Sequence, residues 1–188
     1  MKVYLLLIFL IFVSSNISAQ DGYKLIRKAE KEIKKENYSK ALTLLDSAEK
    51  SDYGWCGNSY YYAMGDIGIL KSQIYNKQKN YDQSLEILDS YFGCDFGVDC
   101  EKRDSLRIET LYLKFGKEKV IEEFTNNLKV ADINTIKRND YVHYLVELPN
   151  FKYSFEIRYF DAFGFTKEEL SSPNELIKNL PFYKLLID

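Results

Sequence analysis

The sequence predicts a mainly α protein, an array of antiparallel helical hairpins followed by a small C-terminal α+β cap that contains a β-hairpin. Three observations carry that expectation. KKENYSKALTLLDS at 34–47 returns as KQKNYDQSLEILDS at 77–90, an offset of 43 residues. Apolar residues recur at helical spacing through both copies and before them. From about residue 140 the apolar period falls to two, the mark of a half-buried strand.

The N-terminus reads as a secretory signal. Lys2 precedes an unbroken apolar run, Val3 to Val13, followed by Ser14, Ser15, Asn16 and the small Ala19. Eleven apolar residues fall short of the about twenty that span a bilayer. Residues 1–19 are therefore expected to be a signal peptide, with a retained N-terminal anchor as the other reading. The mature chain would begin near Gln20 and be exported, to the periplasm or the extracellular space. It is expected to carry no transmembrane segment, since no later stretch is apolar enough. A formal net charge of −2 gives no electrostatic case for nucleic acid, which calls for clustered Lys and Arg.

The echo at offset 43 keeps eight identities in register: Asn37/Asn80, Tyr38/Tyr81, Leu42/Leu85, Leu45/Leu88, Asp46/Asp89, Ser47/Ser90, Asp52/Asp95 and Gly54/Gly97. A fixed period of this size indicates stacked units. Each unit reads as two helices. Leu25, Ile26, Ala29 and Ile33 form the apolar face of the first, and Asn37 is the expected N-cap of the next. Tyr38, Ala41, Leu42, Leu45 and Ala48 form the face of that second helix. In the second unit Ile67, Leu70, Ile74 and Tyr75 line the first helix, and Asn80 caps the second. Ala41 and Ser84 are small because antiparallel helices joined by a short turn approach closely. A weaker third unit follows, with Leu106, Leu111 and Phe115, a turn at Gly116, then Val120, Ile121 and Phe124. The repeat region is placed at 20–130, about three hairpins.

Lys77 to Leu85 resembles the turn and second-helix start of a tetratricopeptide (TPR) repeat, in which Tyr is followed three residues on by Ala and then a large aliphatic. Tyr38/Ala41/Leu42 matches that pattern more closely than Tyr81/Ser84/Leu85. Ala29, Ser72 and Ala48 fall where the family carries small residues. The departures are a period of 43 rather than 34, a missing Trp in the first helix and a missing Pro after the second. An unrelated helical-hairpin repeat is the other reading. The resemblance implies a concave surface lined by first helices that holds a protein or peptide. Outward-facing positions on it would include Lys28, Glu32, Lys71 and Tyr75.

The segment 131–188 differs. Tyr153, Phe155, Ile157 and Tyr159 alternate with polar residues, Val142 to Leu148 alternates similarly, and Pro149-Asn150 supplies turn chemistry. Two short helices should follow, with starts at Thr166 and at Ser172-Pro173-Asn174-Glu175, and Pro181 as a stop. A lone hairpin is marginal, so this segment should cap the stack; a separate small binding domain is the rival.

No catalytic constellation is legible. His143 is the single histidine, in an expected strand with no nucleophile pattern around it. Glu122-Glu123 and Glu168-Glu169 are adjacent pairs that do not face one another on a helix. Asp95, Asp99 and Glu101 lack calcium-loop spacing. The expectation is a non-enzyme without cofactor or metal. Three cysteines in an exported chain suggest one disulfide, and Cys94–Cys100 is preferred on loop proximity, leaving Cys56 over. Trp55 and Tyr60, Tyr61 and Tyr62 form an aromatic cluster at a long connection. Such residues anchor protein partners or stack on sugars, although helical spacing requires one of the three tyrosines to point inward. The expected function is binding of a protein or peptide. The alternatives are an inhibitor or immunity protein against a secreted enzyme or toxin, and glycan capture through Trp55 and Tyr60–Tyr62.

Overall fold

The computed structural model describes residues 21–54, 57–90, 100–129, 141–160, 173–179 and 181–187. It is mainly helical, with a small antiparallel sheet toward the C-terminus. Contacts divide the chain into two units, Met1–Val98 and Asp99–Asp188.

The first unit contains α1 (21–34), α2 (Tyr38–Glu49), α3 (Gly57–Lys77) and α4 (Tyr81–Ser90). Its core gathers Ile26, Ala29, Ala41, Leu45, Ala48, Ala63, Met64, Ile67 and Ile74, with Tyr53 from the connection after α2. Leu25, Ile33, Tyr38 and Leu42 pack partly buried against that core. These are the faces that helical spacing marks.

The two turns of this unit are built alike. After α1, the Asn37 amide bonds to the Glu32 carbonyl at 2.9 Å and the Glu36 amide to Ile33 at 2.9 Å. After α3, Asn80 bonds to Tyr75 at 2.8 Å and Lys79 to Asn76 at 3.0 Å. Each set is a Schellman motif, and each places a non-glycine in the left-handed region, Glu36 at φ 61° and Lys79 at φ 60°. Asn37 stands at the expected cap position, yet its side chain makes no capping bond to α2. The motif turns its amide back toward α1, where it donates to Glu32 Oε2 at 2.9 Å. Its carbonyl accepts from Ala41 N at 3.0 Å, as that of Asn80 does from Ser84 at 3.2 Å.

The second unit contains α5 (Cys100–Phe115), α6 (Lys117–Asn127), β1 (Leu128–Lys129), β2 (Tyr141–Leu148), a 3-10 turn (Pro149–Phe151), β3 (Tyr153–Phe160), α7 (Pro173–Asn179) and α8 (Pro181–Ile187). The third helical pair of the sequence reading thus shares a unit with the sheet. Its turn is tighter than the other two: Gly116 alone separates the helices, at φ 92°, a conformation that glycine adopts without strain.

The strands run β1-β2-β3, all antiparallel. Val146 pairs with Phe155 and Leu148 with Tyr153, and Val146, Leu148, Phe155 and Ile157 share one buried face. The hairpin expected at Pro149-Asn150 is present, with a 3-10 turn and Lys152 at φ 52°. β1 is an addition to that hairpin. α6 packs on β2, and α8 packs on α5 and α7. Pro173 opens α7 as its Ser-Pro-Asn-Glu start predicts, but Pro181 does more than end that helix: it opens α8, because proline is well suited to a first helical position. The expected start at Thr166 lies outside the described residues. Phe124, Phe155 and Phe182 meet at ring-centroid distances of 5.7 and 5.3 Å, and the Tyr112 hydroxyl donates to the Leu186 carbonyl at 2.6 Å.

Candidate functional site

The start of α3 carries the most exposed aromatic group among the described residues. Tyr60, Tyr61 and Tyr62 are 47%, 49% and 49% exposed. The expectation that one of them points inward is corrected. The inward positions of this stretch belong to Ala63, Met64 and Ile67, and Tyr60 packs against the buried Tyr53.

Tyr53 is the centre of an aromatic platform. Its ring meets Tyr23 edge-on at 5.4 Å and Tyr60 at 6.3 Å, and Tyr60 meets Tyr61 at 5.8 Å. Edge-to-face pairs of this kind add about 0.5–1.5 kcal/mol beyond the area they bury. The Tyr53 hydroxyl donates to the Ala48 carbonyl at 2.8 Å, and the Tyr23 hydroxyl donates to the Ser59 carbonyl at 2.9 Å. Burial, with the charges of Asp66 and Glu49 and the neighbouring Tyr23 and Tyr60 beside it, pushes Tyr53 up to about 12. Gly22 makes the close approach of α1 feasible: a Cβ there would stand 2.6 Å from the Tyr53 ring. No local sequence pattern marks Tyr23 or Gly22 as a site residue. The recurrence of Asp52-Tyr53-Gly54 as Asp95-Phe96-Gly97 was the available signal for an aromatic at position 53.

The expected concave-face residues separate. Lys28 is exposed on α1 and Tyr75 is half-buried. Glu32 and Lys71 do not face outward; they are 8% and 7% exposed. Glu32 accepts from Asn37 and lies 3.4 Å from Lys35 and 3.3 Å from Lys40. The Asn37 hydrogen bond, with help from Lys40 and Lys35, holds its carboxyl below the usual range against the opposing effect of burial. Lys71 reaches from α3 to Asp46 at 2.7 Å and Glu49 at 3.0 Å on α2. Burial opposes its charge, but the hydrogen bonds to Asp46 and Glu49 win and its pKa is raised. The physical reason for the misplacement is that α3 packs on α2, so the face of α3 that looks polar in sequence meets acids of the preceding helix. Trp55, Cys56 and Cys94 lie outside the described residues; Cys100 opens α5.

A groove of about 950 Å³ runs beside the two turns of the first unit, lined by Glu36, Asn37, Tyr38, Lys40, Leu44 and Gln78 among others. A cavity of about 290 Å³ in the second unit lies between α6 and the 3-10 turn. At its edge the buried Glu123 carboxylate takes two hydrogen bonds from Asn150, from the backbone amide at 2.8 Å and the side-chain amide at 2.5 Å. Phe115 stacks on Phe151 at 4.1 Å, pinning the same turn. Elsewhere in this unit the buried Asp104 binds Arg103 and Arg107 at 2.7 and 2.9 Å, and Arg107 lies over the Phe155 ring at 4.9 Å. These ties fix α5 and α6 to the sheet.

Comparison with protein-family models, with curated proteins and with solved structures finds no match for this chain. No described helix is long and apolar enough to cross a membrane.

Proposed function

We propose that the protein is an exported, TPR-like, non-catalytic interaction module that binds a protein or peptide through the tyrosines at the start of α3. The observation that carries this reading is the exposure of three consecutive tyrosines, about half in each case, over a platform locked by Tyr53. Tyr is enriched at binding hot spots because it offers a large contact area with few rotatable bonds. Rigidity of the platform matters as much as exposure, since an ordered anchor loses little entropy on binding. The repeat part of the proposal is supported by the matching turn hydrogen bonds at offset 43. Removal of residues 1–19 on export and a Cys94–Cys100 disulfide belong to the same reading.

Crosslinking in the native cell tests it, with the wild type and a Tyr60→Ala, Tyr61→Ala, Tyr62→Ala variant side by side. A stoichiometric protein captured by the wild type and lost from the folded variant is the expected result. Equal capture by both overturns the assignment to this surface. No captured protein, together with a tyrosine or tryptophan fluorescence change on adding oligosaccharides, replaces the protein partner with a glycan. If the captured protein is a secreted enzyme or toxin, inhibition of its activity by the purified chain separates an inhibitor from a scaffold.

A further inference from the structure

The outer face of α1 is a basic strip. Lys24, Arg27, Lys28, Lys31 and Lys34 are all exposed. At 100° per residue they fall within an arc of about 120°, and that arc is centred opposite Ile26, Ala29 and Ile33, which face the core. Over α1 the five cations span about 15 Å along the axis. Lys24 is paired with Asp21 at 3.0 Å. Arg27, Lys28, Lys31 and Lys34 have no ion-pair partner among the described residues. The acids of α1 are Asp21, which is paired with Lys24, the exposed Glu30 and the buried Glu32. A chain whose formal net charge is −2 therefore concentrates unpaired positive charge on one side of one helix.

We infer that this strip is a docking surface for an anionic lipid bilayer. The strip is the exposed face of a helix whose apolar face is already buried in the core, so binding there is electrostatic rather than insertive. Such a rod offers no groove to fix the backbone of an acidic peptide. Four of its five cations are lysines, mobile point charges that suit a field of headgroups able to rearrange beneath them. Recognition of one carboxylate pattern would favour the planar fork of arginine. Each lysine or arginine near an anionic membrane surface strengthens binding by about five-fold, and the attraction falls away within a Debye length.

Vesicle co-sedimentation of the full chain tests the inference. The vesicles are phosphatidylcholine with roughly 30% phosphatidylglycerol, and phosphatidylcholine alone sets the background that the apolar run at Val3–Val13 would give. The wild type is compared with a variant carrying Arg27→Glu, Lys28→Glu, Lys31→Glu and Lys34→Glu, and with a second carrying Gln at the same four positions in case charge reversal disturbs α1. Circular dichroism establishes that each is folded. The wild type is expected to prefer the anionic vesicles, to lose that preference at about 0.5 M salt, and to bind at least about 30-fold more tightly than the Glu variant, with the Gln variant between. Equal binding to both vesicle types, or variants that bind as the wild type does, overturns the inference. So does binding to polyglutamate with no binding to vesicles, which assigns the strip to an acidic protein partner instead.

Discussion

The hydroxyls of Ser72 and Ser84 lie 2.6 Å apart in the fully buried crossing of α3 and α4. At offset 43 the same two positions in the first hairpin are Ala29 and Ala41, also fully buried. One crossing is closed by a hydrogen bond and its counterpart by methyl groups. Ser84→Ala should cost about 1–3 kcal/mol, because the Ser72 hydroxyl loses its partner side chain in the core. The double change Ser72→Ala with Ser84→Ala should recover most of that loss by reproducing the alanine crossing. A denaturation double-mutant cycle in which the two losses simply add would refute the equivalence.

Glu36 and Lys79 hold left-handed conformations that cost side-chain-bearing residues about 1 kcal/mol. Both are exposed, so little packing is lost on removing them. Glu36→Gly and Lys79→Gly are each expected to stabilise by about 0.5–1 kcal/mol. Alanine at the same positions should bring no such gain, because its Cβ keeps the strain. Thermal unfolding of the four variants separates the two cases.

Gly22→Ala sets two effects against each other. Helix propensity favours alanine by about 1 kcal/mol. The new Cβ would meet the Tyr53 ring at 2.6 Å, and that ring is held by its bond to Ala48, so overpacking of about 1–3 kcal/mol opposes the gain. Net destabilisation is expected, with altered tyrosine near-ultraviolet dichroism. A higher melting temperature would show that the platform yields.

Stability should fall at both pH extremes for nameable reasons. The depressed carboxyl of Glu32 contributes above its unfolded pKa and loses that contribution as pH falls through its folded value. The raised pKa of Lys71 and that of Tyr53, about 12, act in the other direction. Their contributions are complete below the unfolded values, near 10, and fade as pH rises through the folded ones. Denaturation midpoints measured across pH should show a plateau between about pH 5 and pH 10. Glu32→Gln should flatten the acid limb and Lys71→Met the alkaline limb.

Glu123→Gln places an amide donor against one of two Asn150 donors, so one of the hydrogen bonds at 2.8 and 2.5 Å must be lost. A cost of about 1–3 kcal/mol is expected. Faster hydrogen exchange at the Asn150 amide would locate the damage at the turn, whereas unchanged exchange would place it elsewhere.

The helical faces and the hairpin were legible because burial imposes a period on side chains: Ile26, Ala29, Leu45 and Ala48 repeat as helix faces, and Phe155 and Ile157 repeat as a strand face. β1 was not legible, since two residues are too few to express a period. Glu32 and Lys71 were misread because charge suggests solvent, and nothing local in sequence shows that α2 brings Asp46 and Glu49 to Lys71. The three tyrosines were misread for a related reason. Helical spacing assigns an inward position, but only tertiary structure shows that Ala63, Met64 and Ile67 take those positions, in one core with Tyr53 from the preceding connection. The association of α5 and α6 with the sheet rests on long-range contacts, among them Glu123 with Asn150, that no local pattern encodes.

Phe182 and Leu186 are fully buried, and their place in the second core has a consequence for biosynthesis. The first unit possesses its last core leucine, Leu88, when about half of the chain has been made. The second cannot close around Phe124 and Phe155 until α8 has left the ribosome. Maturation is thus staggered: an early-folding amino-terminal half precedes a carboxy-terminal half that stays open, and accessible to chaperones and proteases, until translation has delivered its final helix.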